Sequence, residues 1–313
     1  MGKVIDFHSH LYPPEFKKIG PIHPSIYDVE GLLAEQEAAG VDISVITNCM
    51  VLAHKGEANL WGFEAIKTFH DFVGKLTAQY PKNFVGFAAA VPFRNGQYLN
   101  ETERAINEYG LKGIIVNSSV QGEYLDSERA FPFYELVCKL DVPVFVHPPS
   151  VTVGADKMES IRLVASLGRP FDTTLSIVRM ILAGVLERFP MKLILAHMGG
   201  AIPMLVGRLD YGFEFSKDPG YGEKSYGPWD TDRLPHPPGY YIRQMYLDTM
   251  GFHPPGIMAS IGTVGIDHVV MGSDNPPVKV PLKRTVDTVR MLPISEEEKN
   301  KVLGQNAAAL LKL

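Results

Sequence analysis

The sequence predicts an α/β protein of the (β/α)8 class, a TIM barrel that occupies the whole chain. Eight short runs of apolar, mostly β-branched residues alternate with longer segments of helical character. Strands that alternate with helices form a parallel sheet with right-handed crossovers, and eight such units close into a barrel of roughly 250 residues plus insertions. The 313 residues fit that size as one domain, 1–313. An open, doubly wound sheet is the alternative, but the chain contains no Gly-x-Gly-x-x-Gly or P-loop turn to favour it.

The predicted strands are all short. In chain order they span residues 3–7, 42–47, 84–90, 113–116, 143–146, 192–196, 244–248 and 268–271. The clearest helices between them span residues 26–39, 100–109, 173–189 and 282–291. Gly40 and Gly110 stand where two of the helices should end. Ser295, with Glu298 three residues later, predicts a capping box that opens a last helix to about residue 311.

Composition and charge are those of an ordinary soluble globular protein. Hydrophobic residues make up 45% and charged residues 21% of the chain, and the formal net charge is -5. The chain has no run of five or six like charges, and its mild acidity argues against a nucleic-acid-binding protein. No apolar run reaches the roughly 18 residues that a membrane span needs, and the first residues do not read as a signal peptide. Two cysteines, Cys49 and Cys138, are too few for a disulfide framework, so we expect a cytoplasmic protein.

The segment from 214 to 240 is the least regular part of the sequence. It is rich in Gly, Pro and Tyr and contains Trp229. A loop this long between barrel elements is more often functional than idle. We therefore interpret it as an insertion that forms a lid or an oligomer contact, with a plain surface insertion as the alternative.

Side chains that can bind a metal follow four of the predicted strands. The first strand ends in a His-x-His pair, His8 and His10, and residues two apart on a strand point to the same face. His147 follows the fifth strand, His197 the sixth and Asp274 the eighth. Each stands between an apolar run and a turn marked by Gly or Pro, which is the rim where a barrel builds its active site.

Each of these residues alone has an ordinary structural interpretation. A His-x-His pair occurs by chance, a histidine after a strand is often a hydrogen-bonded core residue, and an aspartate before a turn often stabilises that turn. Their occurrence together favours a metal site over these ordinary interpretations, because three imidazoles and a carboxylate from strands one, five and eight would meet at one barrel mouth. Buried together without a cation, they would carry a large desolvation cost. The sequence therefore predicts a site for one divalent ion, made by His8, His10, His147 and Asp274.

Taken in order, these motifs resemble a known superfamily over nearly the whole chain. The matching segments are His8-Ser9-His10, Val146-His147-Pro148, Ala196-His197-Met198-Gly199-Gly200 and Gly272-Ser273-Asp274-Asn275-Pro276. They resemble the amidohydrolase superfamily, and within it the branch that contains aminocarboxymuconate semialdehyde decarboxylase and the resorcylate-type decarboxylases. The resemblance implies the same four ligands, with zinc or manganese as the usual ion, and makes His197 and Asp274 the catalytic residues. Asn117-Ser118 rather than a Lys follows the fourth strand, which disfavours the binuclear type with a carbamylated lysine.

The chain departs from that branch after the second strand. Decarboxylases of the branch often place an Arg there to bind a substrate carboxylate, whereas this segment contains Asn48 and no Arg. Arg94 after the third strand, or Arg169 after the fifth, could supply the positive charge, although either could be a solvated surface Arg. His253, after the seventh strand, stands on the same rim, where a loop histidine is the ordinary alternative. These four residues are the candidates for substrate binding.

A site of this kind supports more than one reaction. The resemblance favours non-oxidative decarboxylation of an aromatic or unsaturated carboxylic acid, with Asp274 and His197 handling the proton that replaces CO2. Hydrolysis of an amide, lactone or carbon–carbon bond by metal-activated water is the alternative, and a non-catalytic metal-binding scaffold is a third. Three histidines and one aspartate suit Zn2+, our first choice, and Mn2+ alike. We expect a homodimer that binds a small carboxylic acid, and neither nucleic acid nor membrane.

Overall fold

A computed structural model of the chain describes residues 2–18, 23–48, 62–217, 234–276, 278 and 280–313. In these residues eight parallel strands form one sheet, and each strand pairs with the next one along the chain. We number them β1 to β8: Ile5–His10, Ile43–Thr47, Phe84–Ala89, Gly113–Asn117, Val144–His147, Leu193–Leu195, Tyr246–Asp248 and Val269–Val270. Every predicted strand is present, at or within a few residues of its predicted place.

Hydrogen bonds between the ends of the sheet close it into a barrel. The backbone N–H of Phe7 in β1 donates to the carbonyl oxygen of Met271, and the N–H of Asp274 donates to the carbonyl oxygen of His8, both at 2.8 Å. The first and last strands are therefore joined. The (β/α)8 prediction is confirmed, and the open-sheet alternative is wrong.

One main helix follows each strand of the barrel. We number these α1 to α8: Val29–Ala39, Phe63–Gln79, Gln97–Tyr109, Phe131–Leu140, Arg169–Leu182, Ile202–Ser216, Pro254–Val264 and Leu282–Arg290. The single helix predicted over 173–189 is wrong, because a turn at Gly184, with a φ of 71°, separates α5 from the short helix Val185–Arg188. No described helix is long and apolar enough to cross a membrane.

The predicted helix ends rest on identifiable signals. Gly40 and Gly110 end α1 and α3 in the left-handed conformation, with φ of 68° and 65°, which glycine adopts because it has no Cβ. The Ser295 side chain accepts from the N–H of Glu298, whose carboxylate accepts from the N–H of Ser295. The predicted capping box is confirmed. The helix that it opens is interrupted, since a π-helical turn joins Glu296–Asn300 to Asn306–Leu311.

Aromatic rings fill the middle of the barrel and form an apolar layer next to His8, at the carboxyl end of β1. Phe7 packs edge-to-face on Phe87 and on Phe145, with ring centroids 5.5 and 5.8 Å apart. The ring of His8 also lies 4.9 Å from that of Phe145. Consecutive residues of a regular strand face opposite sides, so Phe7 and His8 share the interior only because the pairing of β1 with β2 shifts register at this point.

Most of the predicted 214–240 insertion, residues 218–233, lies outside the described residues, as does Cys49. The described ends of the insertion belong to regular helices. On one side α6 continues to Ser216, and on the other a short helix spans Pro238–Ile242.

Candidate metal centre

The predicted ligands come together at the carboxyl end of the barrel. His8 and His10 lie at the end of β1, His147 is the last residue of β5, and His197 and Asp274 follow β6 and β8. All are buried except His197, whose side chain is 12% exposed and therefore open to the mouth of the barrel. The position agrees with the general rule that barrel enzymes build their sites from loops at this end.

Short distances join these side chains around one point. Nε2 of His10 lies 3.0 Å from Oδ1 of Asp274, and Nε2 of His8 lies 3.5 Å from the same oxygen. The Nε2 atoms of His8 and His10 are 3.1 Å apart. One ligand atom from each of His8, His147, His197 and Asp274 lies within 4.8 Å of the others. The structure thus brings all five predicted residues into one cluster.

Three of the imidazoles are anchored on the side away from the cluster. Nδ1 of His8 lies 2.7 Å from Oδ2 of Asp248, and Nδ1 of His10 lies 2.9 Å from the hydroxyl of Thr47. Nδ1 of His147 lies 2.9 Å from the carbonyl oxygen of Pro148. Because the other ring nitrogen is occupied, each imidazole is left with Nε2 turned toward the centre. Metal-binding histidines are typically held in this way.

The Nε2 atom of His147 shows that these residues fit a metal ion. Its Nε2 is buried and has no hydrogen-bond partner among the described residues. A buried polar atom without a partner costs roughly 1–3 kcal/mol. A cation coordinated at this nitrogen would remove that cost, so the donor set fits a metal ion better than it fits an empty hydrogen-bonded core.

The charges of the cluster favour an ionised Asp274 and neutral imidazoles at His10 and His147. Burial alone would raise the pKa of Asp274, but the charge of His8 and the hydrogen bond from His10 hold it well below its ordinary value. Burial, reinforced by the imidazoles around it, lowers the pKa of His147 well below its ordinary value, and burial lowers that of His10. His8 differs, because Asp274 and Asp248 outweigh the effect of burial and raise its pKa. The ionised carboxylate and the neutral imidazoles of His10 and His147 are in the protonation state that a divalent ion requires, whereas His8 would release its proton on binding.

Asp248 also belongs to the centre, although the sequence motifs did not predict it. It is fully buried at the end of β7, where its second oxygen accepts from the backbone N–H of Met198 and of Met250. Gly272 lets it approach His8, because a Cβ on Gly272 would lie 2.8 Å from the Cβ of His8 and 3.0 Å from the Cβ of Asp248. An acidic residue that ends a buried strand was the available signal, the same one that singled out Asp274.

Backbone strain marks the two residues that face each other across the mouth. His197 and Asp274 have φ of 56° and 61°, in the left-handed region that non-glycine residues rarely adopt. Such a conformation costs about 1–3 kcal/mol per residue and persists where the surroundings impose it, commonly at functional sites. Nε2 of His197 lies 3.4 Å from Oδ2 of Asp274.

Comparison with known protein families shows to which family the chain belongs. The family model described as amidohydrolase matches residues 5–313, which include every residue of the cluster. The chain belongs to the amidohydrolase family. The membership predicted from the histidine and aspartate motifs is thereby confirmed.

This amidohydrolase is similar to several decarboxylases along most of its length. A 2-amino-3-carboxymuconate-6-semialdehyde decarboxylase of Dictyostelium discoideum is 29% identical over 296 residues, which cover 93% of this chain and 79% of that one. The crystal structure of a 5-carboxyvanillate decarboxylase of Sphingomonas paucimobilis matches with a TM-score of 0.85 and 25% identity, over 99% of both chains. The predicted branch of the superfamily, and with it the prediction of an enzyme, is confirmed.

A third similar protein has been solved with a bound metal ion. The structure of a dihydroxybenzoic acid decarboxylase of Polaromonas sp., with bound manganese and the inhibitor 2-nitroresorcinol, matches with a TM-score of 0.82 and 23% identity. The match covers 100% of this chain and 98% of that one. The present chain has the same fold, with a His/Asp cluster that could hold a metal.

The residues predicted to bind substrate are in different surroundings. Asn48 is buried directly after β2, next to Thr47. Arg169 begins α5 and is half-buried, and its Nε is buried without a partner among the described residues. Arg94 and His253 are exposed, His253 at the residue before α7. Burial therefore places Asn48 and Arg169 ahead of the other two as candidates.

Proposed function

We propose that this amidohydrolase is a metal-dependent, non-oxidative decarboxylase of an aromatic or unsaturated carboxylic acid. The proposal depends on one observation, the cluster of His8, His147, His197 and Asp274, whose ligand atoms lie within 4.8 Å of one another. His10 joins this cluster, because its Nε2 lies 3.0 Å from Oδ1 of Asp274. The same donors would also suit a hydrolase. Similarity to decarboxylases over most of the chain supports the carbon–carbon lyase reaction instead.

Four residues are proposed as the ligands of one divalent ion: His8, His10, His147 and Asp274. Three imidazoles and a carboxylate suit Zn2+, our first choice, and suit Mn2+ as well. When bound, the ion supplies Lewis-acid polarisation of a substrate oxygen. The unpartnered Nε2 of His147 is the feature of this chain that supports the assignment.

His197 and Asp274 are proposed to manage the proton. In decarboxylation the bond between a substrate carbon and its carboxylate breaks, CO2 leaves, and a proton takes its place on that carbon. Nε2 of His197 and Oδ2 of Asp274 lie 3.4 Å apart, so these two atoms can hold one proton between them at the open side of the site. Nδ1 of His197 has no partner among the described residues, so no hydrogen bond described there fixes its ring in one orientation.

The rest of the pocket is proposed to bind and desolvate the acid. The rings of Phe7 and Phe145 beneath the centre provide an apolar surface that excludes water from the reacting carboxylate. Arg169 is the proposed partner for negative charge on the substrate, since its half-buried guanidinium has an Nε without a partner among the described residues. Asn48 and the exposed Arg94 and His253 are further candidates for contacts with the substrate.

The product distinguishes the two reactions. We expect protein loaded with zinc or manganese to release CO2 and the corresponding decarboxylated compound in equal amounts from a hydroxybenzoate or a muconate-type acid. His197→Ala and Asp274→Asn should lower kcat by about 100-fold or more, because each removes a group that handles the proton. His268→Ala is the matched control, since His268 stands before β8 at the opposite end of the barrel, and it should keep full activity. A product that has gained water, with no CO2, would show hydrolysis instead.

A further inference from the structure

Asn117 is the last residue of β4 and stands beside His147 at the mouth of the barrel. The two residues pair across adjacent parallel strands, so their side chains lie on the same face of the sheet. Two residues earlier Ile115 pairs with Phe145, whose ring packs against Phe7 in the barrel interior. Asn117 therefore presents its side chain to the interior, at the level of the metal centre.

The amide of Asn117 is buried without a partner among the described residues. Asn117 is 1% exposed, and neither Nδ2 nor Oδ1 makes a hydrogen bond there. On its other side β3 continues into Ala90 and Val91, whose side chains have no polar atom. A buried amide in this state lowers the stability of the fold. In native proteins such a group calls for an explanation, such as a functional role or a bound ion or water, and these exceptions are expected at functional sites.

Asn306 shows how a structural amide is treated in the same protein. It is 7% exposed, and its Nδ2 donates to the carbonyl oxygens of Ile266 and Val269 at 2.8 and 2.7 Å. Asn306 thereby ties the last helix to β8. Asn117 makes no such connection in the described part of the chain, although it is the more deeply buried of the two.

We propose that Asn117 binds the substrate directly and selects acids that carry a hydrogen-bond donor next to the carboxylate. An amide offers a donor and an acceptor side by side, so it fits a ligand with the complementary pair. A carboxylate beside a hydroxyl or amino group is such a ligand. Nδ2 donates to a carboxylate oxygen, and Oδ1 accepts from the neighbouring O–H or N–H. The assignment rests on the proposed function, since it places a carboxylic acid in this centre.

An acid without the neighbouring donor leaves Oδ1 unpaired in a buried site, which is the basis of the selection. Sites built to hydrogen-bond a substrate group discriminate strongly against analogues that lack it. Benzoate and 2-hydroxybenzoate form a matched pair of probes, because they differ only in the hydroxyl group. We expect metal-loaded wild-type protein to bind 2-hydroxybenzoate at least tenfold more tightly than benzoate.

The test compares two variants. Asn117→Leu removes an amide that has no partner among the described residues, and Asn306→Leu removes an amide that donates two hydrogen bonds. Titration calorimetry on the metal-loaded proteins measures the Kd of both probes, thermal unfolding measures stability, and elemental analysis verifies the metal content. Asn117→Leu should weaken binding of 2-hydroxybenzoate about 10- to 100-fold, remove the preference over benzoate and leave Tm unchanged or higher. Asn306→Leu should lower Tm and leave both Kd values unchanged.

Two results would overturn the assignment. If Asn117→Leu lowers Tm as Asn306→Leu does and keeps the preference for 2-hydroxybenzoate, Asn117 is a structural residue. If the wild-type protein binds both probes alike, or neither, the pairing with an adjacent donor is wrong. Binding is measured without turnover, so a failure to release CO2 contradicts only the proposed reaction.

Discussion

At the residue scale, the hydrogen bonds on the outer side of each imidazole decide which nitrogen faces the centre. His8, His10 and His147 are held at Nδ1 by a carboxylate, a hydroxyl and a carbonyl oxygen respectively. The His8–Asp248 pair is the strongest of these, because a charge-assisted hydrogen bond in a fully buried setting is not weakened by water. Such outer partners orient ligand rings and raise their basicity.

Asp248→Asn should therefore weaken metal binding although Asp248 is not a proposed ligand. We expect the affinity for Zn2+ or Mn2+ to fall about 10- to 100-fold, as is usual when the partner of a ligating histidine is changed. Competition with a chelator of known affinity measures the effect. Asp42→Asn is the control, because Asp42 accepts from the backbone N–H of Val4 before β1, at the other end of the barrel. Equal metal affinity in the wild type and Asp248→Asn would contradict the role given to Asp248.

Gly272→Ala should disturb the same pair by crowding. The added Cβ would lie 2.8 Å from that of His8 and 3.0 Å from that of Asp248, so β1 or β7 must shift to admit it. We expect a loss of about 1–3 kcal/mol in the free energy of unfolding, typical of overpacking, together with weaker metal binding. Gly262→Ala is the matched control, since nothing lies within 4 Å of its added Cβ in α7, where Ala is the better helix former. Urea unfolding that finds both variants equally stable would rule out this account of Gly272.

At the scale of elements, a network of charges joins α2 to α3. Arg104 of α3 donates to Glu101 and also to Asp71 of α2, and Nδ1 of His70 lies 2.8 Å from Glu101. Burial opposes ionisation of both carboxyl groups. The hydrogen bonds nevertheless lower the pKa of Glu101 from 4.5 to about 2 and that of Asp71 from 3.8 to about 2. The folded state thus favours the ionised carboxylates.

This network predicts a loss of stability in acid. Because the pKa of Glu101 is lower in the folded than in the unfolded chain, its contribution is complete above pH 4.5 and is lost as the pH falls toward 2. Glu101→Gln should lower the free energy of unfolding by about 1–3 kcal/mol at pH 6 and by much less near pH 2.5. Urea unfolding at both pH values, on protein from which a chelator has removed the metal, measures the difference. Glu103→Gln is the control, because Glu103 forms a more exposed pair with Lys139; it should change the free energy of unfolding by less than about 1 kcal/mol. An effect of Glu101→Gln that does not depend on pH would contradict the prediction.

Elements were predictable where their signals are local. All eight strands follow from short β-branched runs, and the ends of α1 and α3 follow from Gly40 and Gly110. The helix predicted over 173–189 failed because apolar periodicity continues through Gly184, which the fold uses to turn the chain. The sequence does not predict whether a glycine within a periodic segment will be helical or left-handed, since glycine adopts both conformations readily.

At the scale of the whole molecule, the proposed metal ligands link the first strand of the barrel to its fifth and eighth strands. An ion bound by His8, His10, His147 and Asp274 would bind the folded chain and not the unfolded one, because no local segment contains the full set. Binding of this kind raises stability by about 2.7 kcal/mol when free metal is at 100 times its Kd.

Removal of metal should therefore lower the stability of the entire barrel. We expect Tm to fall on treatment with EDTA and to recover when Zn2+ or Mn2+ is added back after the chelator is removed. His147→Ala serves as the control, because a chain without this ligand should show little change in Tm with either treatment. A wild-type Tm that is insensitive to both treatments would count against the metal site.

The sequence by itself determined the class of fold, the order of the strands and the polar residues that end them. These properties follow from local patterns: strand periodicity, turn residues and the position of His or Asp after an apolar run. Only the tertiary structure decided which ring nitrogen faces the centre, that Asp248 supports His8 from 240 positions away, and that Asn117 is left without a partner in the described chain. The physical reason is that the two-residue periodicity of a strand predicts only the face of the sheet on which a side chain lies. Which residues meet on that face depends on register and closure of the barrel, set by the packing of all eight strands together.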